Sequence, residues 1–311
     1  MAVREWAAVY LKGAAMGAAD AVPGVSGGTI ALITGIYERL VGAIAALDPE
    51  AAVALLPLLP RLGSRNAREE LRGSLTDMEV PFLLVLGVGV LSAVVTVANA
   101  VDVAYHQYPG LTFSFFFGLI AASVVVLLGE VSVETPGRVA AGVAGFTLAF
   151  VVSGLSQGNV LPGGLAVLFV TGAVAICAMV LPGVSGSLIL LTFGKYETMT
   201  GAVSDATDAL FAGALGDAVD PLSILVVFSV GALVGILTFA RAVEWALDHY
   251  RAATLTFLVA LMVGALRAPA IEIADATAAW TAAAVAPLVA AGLVGAGAVL
   301  LLDATTDDLD Y

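Results

Sequence analysis

A serine flanked by glycines and a proline occurs twice in the 311-residue sequence, as Pro-Gly-Val-Ser-Gly at 23–27 and again at 182–186. Proline cannot donate a main-chain hydrogen bond and glycine adopts dihedrals that other residues avoid, so each motif predicts a break in a helix. The helix that restarts after a break has unpaired amide N–H groups, and the hydroxyl of Ser26 or Ser185 could cap it or donate to a ligand. Two such helix starts facing each other would form an anion site, with phosphate as the obvious candidate.

The residues that open the helix after each break are therefore the candidate ligands of this anion. In the first break they are Ser26, Gly27, Gly28 and Thr29, and in the second they are Ser185, Gly186 and Ser187. The alternative is that each break serves folding alone, an interpretation that the duplication of the whole motif weakens.

Charged residues flank both breaks. An ionisable group inside a membrane is costly and is first considered functional, with snorkelling to the interface as the alternative. Arg39 and Lys195 are candidates for compensating the charge of a bound anion. Asp20, Glu38 and Glu197 are candidates for carrying a coupling ion, either H⁺ or Na⁺. For Asp20, the alternative is a local role at the end of a helix.

The first motif also fits the G-x-S-x-G pattern of serine hydrolases. Nucleophilic catalysis needs a base beside the serine, and the only histidines, His106 and His249, are predicted at the membrane surfaces. The single cysteine, Cys177, excludes a disulfide and a metal framework built on cysteines. The sequence also lacks a G-x-x-x-x-G-K-[ST] nucleotide-binding loop. These features favour a protein that is not an enzyme and has no metal or other cofactor.

The composition indicates a membrane protein. Hydrophobic residues make up 60% of the chain and charged residues only 12%, and the mean hydropathy is +1.04. A soluble domain carries about 25% charged residues, so the bilayer is the natural solvent for this chain. The net charge of −13 excludes a basic surface for nucleic acid. Apolar stretches that approach or exceed the ~20 residues needed to cross a bilayer lie at 81–101, 111–129, 139–155, 222–240 and 278–302.

An internal repeat divides the chain into two halves. The break motif recurs 159 positions later, and residues 82–119 match 224–261 at an offset of 142, with 14 identities in 38 positions. Shared apolar composition alone would not keep one ungapped register over that length. The sequence therefore predicts an all-α polytopic membrane protein with repeats at 1–157 and 158–311. Each repeat comprises a re-entrant or broken helical pair (6–46; 164–204), a loop (47–79; 205–221) and about three transmembrane helices, with a short acidic tail at the end of the chain.

The charges of the two loops predict the orientation of the halves. Loop 47–79 contains four arginines, whereas loop 205–221 contains four aspartates and no lysine or arginine. Because positively charged loops stay in the cytoplasm, we expect 47–79 inside, 205–221 outside and both chain termini in the cytoplasm. The halves would then be inverted repeats, as in many secondary transporters. Each pair would be a re-entrant hairpin that meets its counterpart near the middle of the membrane, with two full spans and a tight turn as the alternative.

The sequence around the first break, from Ala15 to Ala31, together with Gly35-Ile36-Tyr37-Glu38-Arg39, closely resembles the opening signature of the polyprenyl-phosphate transporter family. Residues 115–123, 181–187 and 264–267 resemble later landmarks of that family, so the resemblance covers about 10–270. It implies a transporter that returns polyprenyl phosphate carrier lipid across the cytoplasmic membrane. In bacteria this lipid is undecaprenyl phosphate, and an archaeal member would handle a dolichyl-type phosphate.

The resemblance also implies which residues bind the lipid phosphate. Those that match the family's motifs are Ser26, Gly27, Gly28, Arg39, Ser185 and Gly186, with Arg267 from a later landmark. The leading hypothesis is a flippase-like transporter of lipid phosphate in the cell membrane, in which one half rocks against the other. The alternative is a channel or secondary carrier for a small soluble anion.

Overall fold

The structure is a computed structural model that describes residues 3–20, 26–55, 57, 60, 64–154, 164–212, 214 and 216–306. Every regular element in these ranges is helical, including a short 3₁₀ turn at Leu128–Glu130. In chain order the α-helices are α1 (Val3–Asp20), α2 (Gly27–Ile33), α3 (Tyr37–Ala45), α4 (Pro49–Leu55), α5 (Arg65–Asp77), α6 (Val80–Gln107), α7 (Pro109–Leu127), α8 (Pro136–Val152), α9 (Leu165–Val180), α10 (Gly186–Thr192), α11 (Tyr196–Phe211), α12 (Val219–Ala265), α13 (Arg267–Ala276) and α14 (Ala282–Thr306).

Several helices are long and apolar enough to cross a membrane. Among the described residues, Pro109–Glu130, Val219–Ala276 and Ala282–Leu301 meet this condition, and two bent helix pairs raise the number of candidate spans to five. Helix α6 has 28 residues, which corresponds to about 42 Å at 1.5 Å per residue, more than the ~30 Å of a hydrocarbon core. The prediction of an all-helical polytopic membrane protein is confirmed.

The part of the predicted pair 6–46 that follows the first break is not one continuous helix. Helix α2 ends at Ile33, α3 begins at Tyr37, and the two helices meet at 115°. Gly35 lies between them with a φ of +68°, a conformation that glycine adopts without steric cost. Gly194, with a φ of +63°, separates α10 from α11 in the same way. The segments predicted as pairs, 6–46 and 164–204, therefore each contain parts of three helices.

The segments predicted as loops also contain helices. Helices α4 and α5 lie within 47–79, and α11 extends to Phe211, inside 205–221. Ser64 caps α5 by accepting a hydrogen bond from the Ala67 N–H at 3.3 Å. Leu71 and Leu75, four residues apart, lie on the same side of this otherwise polar helix. The abundance of charge in 47–79 indicated a loop, whereas this local periodicity forms a short amphipathic helix.

Glycines bring α1 against α6 and α9 against α12 so closely that no side chain could fit between the backbones. Small residues of this kind allow helices to approach in a membrane. Each glycine lies against main-chain atoms of the neighbouring helix. The contacts between α1 and α6 recur between α9 and α12, with the residue numbers shifted by the two offsets of the sequence repeat, 159 and 142. The pairs are Gly13 with Leu86, Gly89 with Tyr10, Gly172 with Phe228, and Gly231 with Phe169.

A kink at a tyrosine also occurs at equivalent positions in the two halves. Tyr108 (φ −135°, ψ 51°) separates α6 from α7, and Tyr250 (φ −139°, ψ 40°) lies inside α12. The Thr112 Oγ1 donates to the Tyr108 carbonyl at 3.0 Å, and the Thr254 Oγ1 donates to the Tyr250 carbonyl at 3.2 Å. Helix α12 is therefore two helical segments joined at Tyr250, matching α6 and α7.

The last helix of each predicted half packs on the other half. Helix α8 packs along the second segment of α12, where Gly145 lies against the main chain of Phe257. Helix α14 packs along α7, where Gly295 lies against the main chain of Phe115. Phe115 and Phe257 are equivalent positions of the repeat, so the two contacts are reciprocal and join the halves.

Candidate functional site

The two breaks contact each other directly. The Ser26 Oγ donates to the Leu181 carbonyl oxygen at 3.1 Å, and the Gly183 N–H donates to the Thr29 Oγ1 at 3.0 Å. Ser26, Thr29 and Gly183 are all buried. The expectation that the two breaks meet is confirmed by these two hydrogen bonds. The segment 21–25, which contains the proline of the first motif, lies outside the described residues.

The amide groups at the start of α2 are already paired within the protein. The Gly27 N–H donates to the Asp20 carboxylate at 2.6 Å, the Gly28 N–H to the Ser26 Oγ at 3.2 Å, and the Thr29 N–H to the Ser26 carbonyl at 3.0 Å. The Asp20 side chain therefore occupies the helix start, the position that the sequence predicted for a bound anion. A phosphate could take the Gly27 N–H only if the Asp20 carboxylate moved away.

Glycines hold the two breaks close to their neighbours. Gly28 lies against the main chain of Val180, at the end of α9. Gly183 has a φ of +84° and lies against Leu261 and Ala265 of α12. A Cβ atom at either glycine would meet these atoms, so the contact between the breaks depends on both residues being glycine.

The second break differs from the first in its local structure. Helix α9 ends at Val180 with Leu181 extended, and a turn returns the chain to α10. Ser185 and Gly186 are buried, as Ser26 and Gly27 are. The side chain of Ser187, the remaining predicted ligand in this break, lies outside the described residues.

The chain has two lysines, Lys12 on α1 and Lys195 after α10, and each lies close to the C-terminal end of a short helix that follows a break. The Lys12 Nζ donates to the Thr34 carbonyl, which follows α2, at 2.8 Å. Lys195 follows Gly194 at the end of α10, and its N–H donates to the Leu190 carbonyl at 2.8 Å. Both lysines are buried. A cation at the C-terminal end of a helix is favourable because the helix dipole is negative there.

Arg39 lies on α3 and reaches the beginning of α6. Its Nη2 forms an ion pair with the Glu79 carboxylate at 2.8 Å, and its guanidinium lies 4.2 Å from the centre of the Phe82 ring. Glu79 has a φ of +52°, which is uncommon for a residue with a side chain. The predicted charge-compensating arginine is therefore paired with an acid outside the contact between the breaks.

Glu38 faces the kink of α12. The Arg251 Nη2 pairs with the Glu38 carboxylate at 2.8 Å, and the Arg251 Nη1 pairs with Glu130 at 3.4 Å. These three residues and Tyr37 line a cavity of about 430 Å³. The buried Tyr37 hydroxyl has no hydrogen-bond partner among the described residues. An unpaired buried hydroxyl costs free energy, so Tyr37 is an exception among the buried polar side chains of the described residues.

Two other predicted site residues lie apart from the breaks. The Arg267 Nη1 donates to the Phe150 carbonyl at 2.7 Å, and its guanidinium lies 4.4 Å from the centre of the Phe150 ring. Glu197 is exposed in the first turn of α11. Of the histidines raised as possible bases, His249 stacks on Trp245, and the side chain of His106 lies outside the described residues.

The sequence reasoning missed several residues that the structure places beside the predicted ones. Lys12 is a lysine within an apolar helix, and the rule that singled out Lys195 would have found it. Glu79, Glu130 and Arg251 sit in charged or polar connections, and only the fold reveals which predicted residue each one pairs with. No sequence signal indicated that the Tyr37 hydroxyl would be buried without a partner.

The apolar helices and the contacting breaks define a multi-pass membrane protein. The sequence profile of the undecaprenyl phosphate translocase-like family matches residues 16–301, and the chain belongs to this family. It is 38% identical over 257 residues to a polyprenyl-phosphate transporter of Vibrio cholerae, covering 83% of this chain and 75% of the relative. It is 29% identical over 267 residues to a polyprenyl-phosphate transporter of Staphylococcus aureus, covering 82% of this chain and 83% of the relative. No solved structure is significantly similar to the chain.

Proposed function

We propose that this protein transports polyprenyl phosphate, an isoprenoid carrier lipid, across the cytoplasmic membrane. The observation that carries the proposal is the contact between the two breaks, where hydroxyls of the first break pair with main-chain groups of the second inside an otherwise apolar helical protein. Such groups can stabilise a phosphate, and the surrounding apolar helices are compatible with a hydrocarbon tail. The family and the names of the two relatives support the same substrate.

In this proposal the chain is an inverted repeat of residues 1–157 and 158–311 with both termini in the cytoplasm. The repeated glycine and tyrosine positions support the two repeats. The arginines of 47–79 and the aspartates of 205–221 support the opposite orientation of the halves. Transport then consists of one half moving against the other around the breaks, which alternately opens the site to the two sides.

The head group binds where the breaks now contact each other. When the hydrogen bonds between Ser26 and Leu181 and between Gly183 and Thr29 open, two hydroxyls and a main-chain N–H become available to phosphate oxygens. Ser185 and the amides of Gly27 and Gly186 complete the set, and Lys195 supplies positive charge. Binding at Gly27 displaces the carboxylate of Asp20, so the substrate replaces an anion that the protein itself supplies.

A coupling ion, H⁺ or Na⁺, is part of the proposal. Asp20 is the strongest of the three candidate carriers because its carboxylate occupies the position that the phosphate would take. Glu38 is the second, because its ion pair with Arg251 joins the first half to the second and could open during the motion. Glu197 is the third candidate carrier, because its side chain is exposed.

Transport in vesicles tests the function. Purified protein is reconstituted into liposomes, and movement of a short-chain polyprenyl phosphate between leaflets is compared with that of the same prenol lacking phosphate. We expect the protein to accelerate movement of the phosphate-bearing lipid alone, and Ser26→Ala and Ser185→Ala to slow it to a similar degree. If inorganic phosphate crossed the membrane and the lipid did not, the carrier would belong to the small-anion class.

A further inference from the structure

Two cavities adjoin the amphipathic helix α5, and they differ in chemistry. One, of about 540 Å³, is lined by cationic, acidic and aromatic residues that include Trp6, Arg68, Arg72, Glu79 and Phe82. The other, of about 620 Å³, is almost entirely apolar, with Asp48 as its one charged lining residue among those described. Both volumes are in the range of small-molecule sites. Leu71 and Leu75 line both cavities, so one helix forms a wall of each.

Among the residues that the structure describes, the arginines of the first cavity have no acidic partner. Arg68 and Arg72 are one helical turn apart on α5, and like charges at this spacing repel. The Arg68 Nε contacts only the Ser64 carbonyl, at 3.4 Å, and Arg72 forms no ion pair among the described residues. Glu79, the acid in the cavity wall, is already paired with Arg39. The cavity is therefore suited to an anion.

The apolar cavity adjoins the first one at Leu71 and Leu75, which line both. Its described walls come from 47–48, from α4 and α5, from the beginning of α6 and from the exposed face of α12, and include Met78, Val80, Leu233 and Leu237. A cationic cavity next to an apolar one matches a ligand with a charged head and a hydrocarbon chain. The segment that builds both cavities, 47–79, is longer than its counterpart 205–221, so the feature belongs to one half only.

We propose that these two cavities form a docking site for polyprenyl phosphate, separate from the contact between the breaks, with the phosphate at Arg68 and Arg72 and the isoprenoid chain along Leu233 and Leu237. The inference rests on the proposed function, because it takes the same lipid as ligand. Glu79 supports a built site: its backbone is in the left-handed region at the junction of α5 and α6, and strained residues tend to cluster at functional sites.

Binding of farnesyl phosphate to the purified full-length protein, compared with farnesol and inorganic phosphate, tests the head-group half of the site. The double variant Arg68→Gln/Arg72→Gln should weaken farnesyl phosphate binding about tenfold, since two partly exposed charge contacts are lost. Arg65→Gln is the matched control, because Arg65 lies on the same helix but pairs with Glu69 at 2.8 Å. It should bind farnesyl phosphate as the wild type does.

Leu233→Ser tests the apolar half. Leu233 is 56% exposed and lines the cavity, whereas Leu293 on α14 is 67% exposed and does not. We expect Leu233→Ser to weaken farnesyl phosphate binding about fivefold and to leave inorganic phosphate unaffected. Leu293→Ser should change neither measurement.

The outcomes separate this inference from the function it rests on. If the wild type prefers farnesyl phosphate to farnesol but the double arginine variant binds farnesyl phosphate as tightly as Arg65→Gln does, the docking site is wrong and the transport proposal stands. If the wild type shows no preference, both fail. Displacement of farnesyl phosphate by an equal concentration of phosphatidylglycerol would also overturn the choice of ligand. Should the double variant fail to fold, a photoreactive farnesyl phosphate on the wild type decides: labelling of α5 supports the site, and labelling confined to the breaks overturns it.

Discussion

The hydroxyl of Thr29 is the simplest group with which to test the contact between the breaks. Thr29→Val keeps nearly the same side-chain volume and removes only the acceptor of the Gly183 N–H, which lies at 3.0 Å in the present structure. Both residues are buried, so the amide would lose its partner away from water. A buried donor left unpaired costs about 1–3 kcal/mol.

Hydrogen exchange followed by mass spectrometry measures this loss at the amide itself. If local opening of the second break becomes easier by about 1–3 kcal/mol, exchange at Gly183 accelerates about 5- to 150-fold. The control is Thr171→Val, a buried threonine whose Oγ1 donates to the Val167 carbonyl of its own helix at 2.7 Å. That carbonyl belongs to the regular hydrogen bonding of α9, so the control should leave Gly183 unchanged. Equal protection of Gly183 in the wild type and in Thr29→Val would refute the contact as described.

Three further predictions address packing, the ion pair and the carboxylate at the first break. Gly295→Val should prevent recovery of monodisperse protein, because the valine side chain would overlap the main chain of α7. Gly297→Val should be tolerated, because the space around Gly297 is open. Size-exclusion chromatography distinguishes the two outcomes. Arg251→Gln should change the free energy of unfolding by less than ~1 kcal/mol, because the pair with Glu38 is half exposed. The same variant should slow lipid transport about twofold to fivefold. An unchanged transport rate would remove this pair from the mechanism. Asp20→Asn should tighten farnesyl phosphate binding about fivefold, because a neutral side chain competes less well than a carboxylate for the Gly27 N–H. A titration that showed weaker binding would contradict the displacement of Asp20 by phosphate.

The sequence predicted best those features that depend on residues close together along the chain, such as helix breaks and helix ends. Proline, glycine and serine at 182–186 predicted the second break. The expected inverted arrangement placed it beside the first, and a hydrogen bond from Ser26 to Leu181 joins the two. Asp20 was weighed both as an ion carrier and as a local helix-end group, and its hydrogen bond to Gly27 supports the local role in this conformation.

Partners across the fold could not be predicted in this way. Arg39 pairs with Glu79, forty residues away, and Glu38 pairs with Arg251, more than two hundred residues away. Such pairs depend on how the helices pack, and the separation of two residues along the sequence does not indicate that they will meet. The sharp bend at Gly35 was missed because apolar residues continue through it, so composition alone did not indicate a bend inside the predicted pair 6–46.

The exchange of α8 and α14 between the halves has a consequence for how the chain is made. Helix α7 also contacts α13 and α12, but its most extensive partner is present only when α14, at residues 282–306, has been synthesised and inserted. Until then, the groove at Phe115 that receives Gly295 stays open to lipid. Neither half can complete its own packing alone, so folding of the first half must wait for the last helix of the second.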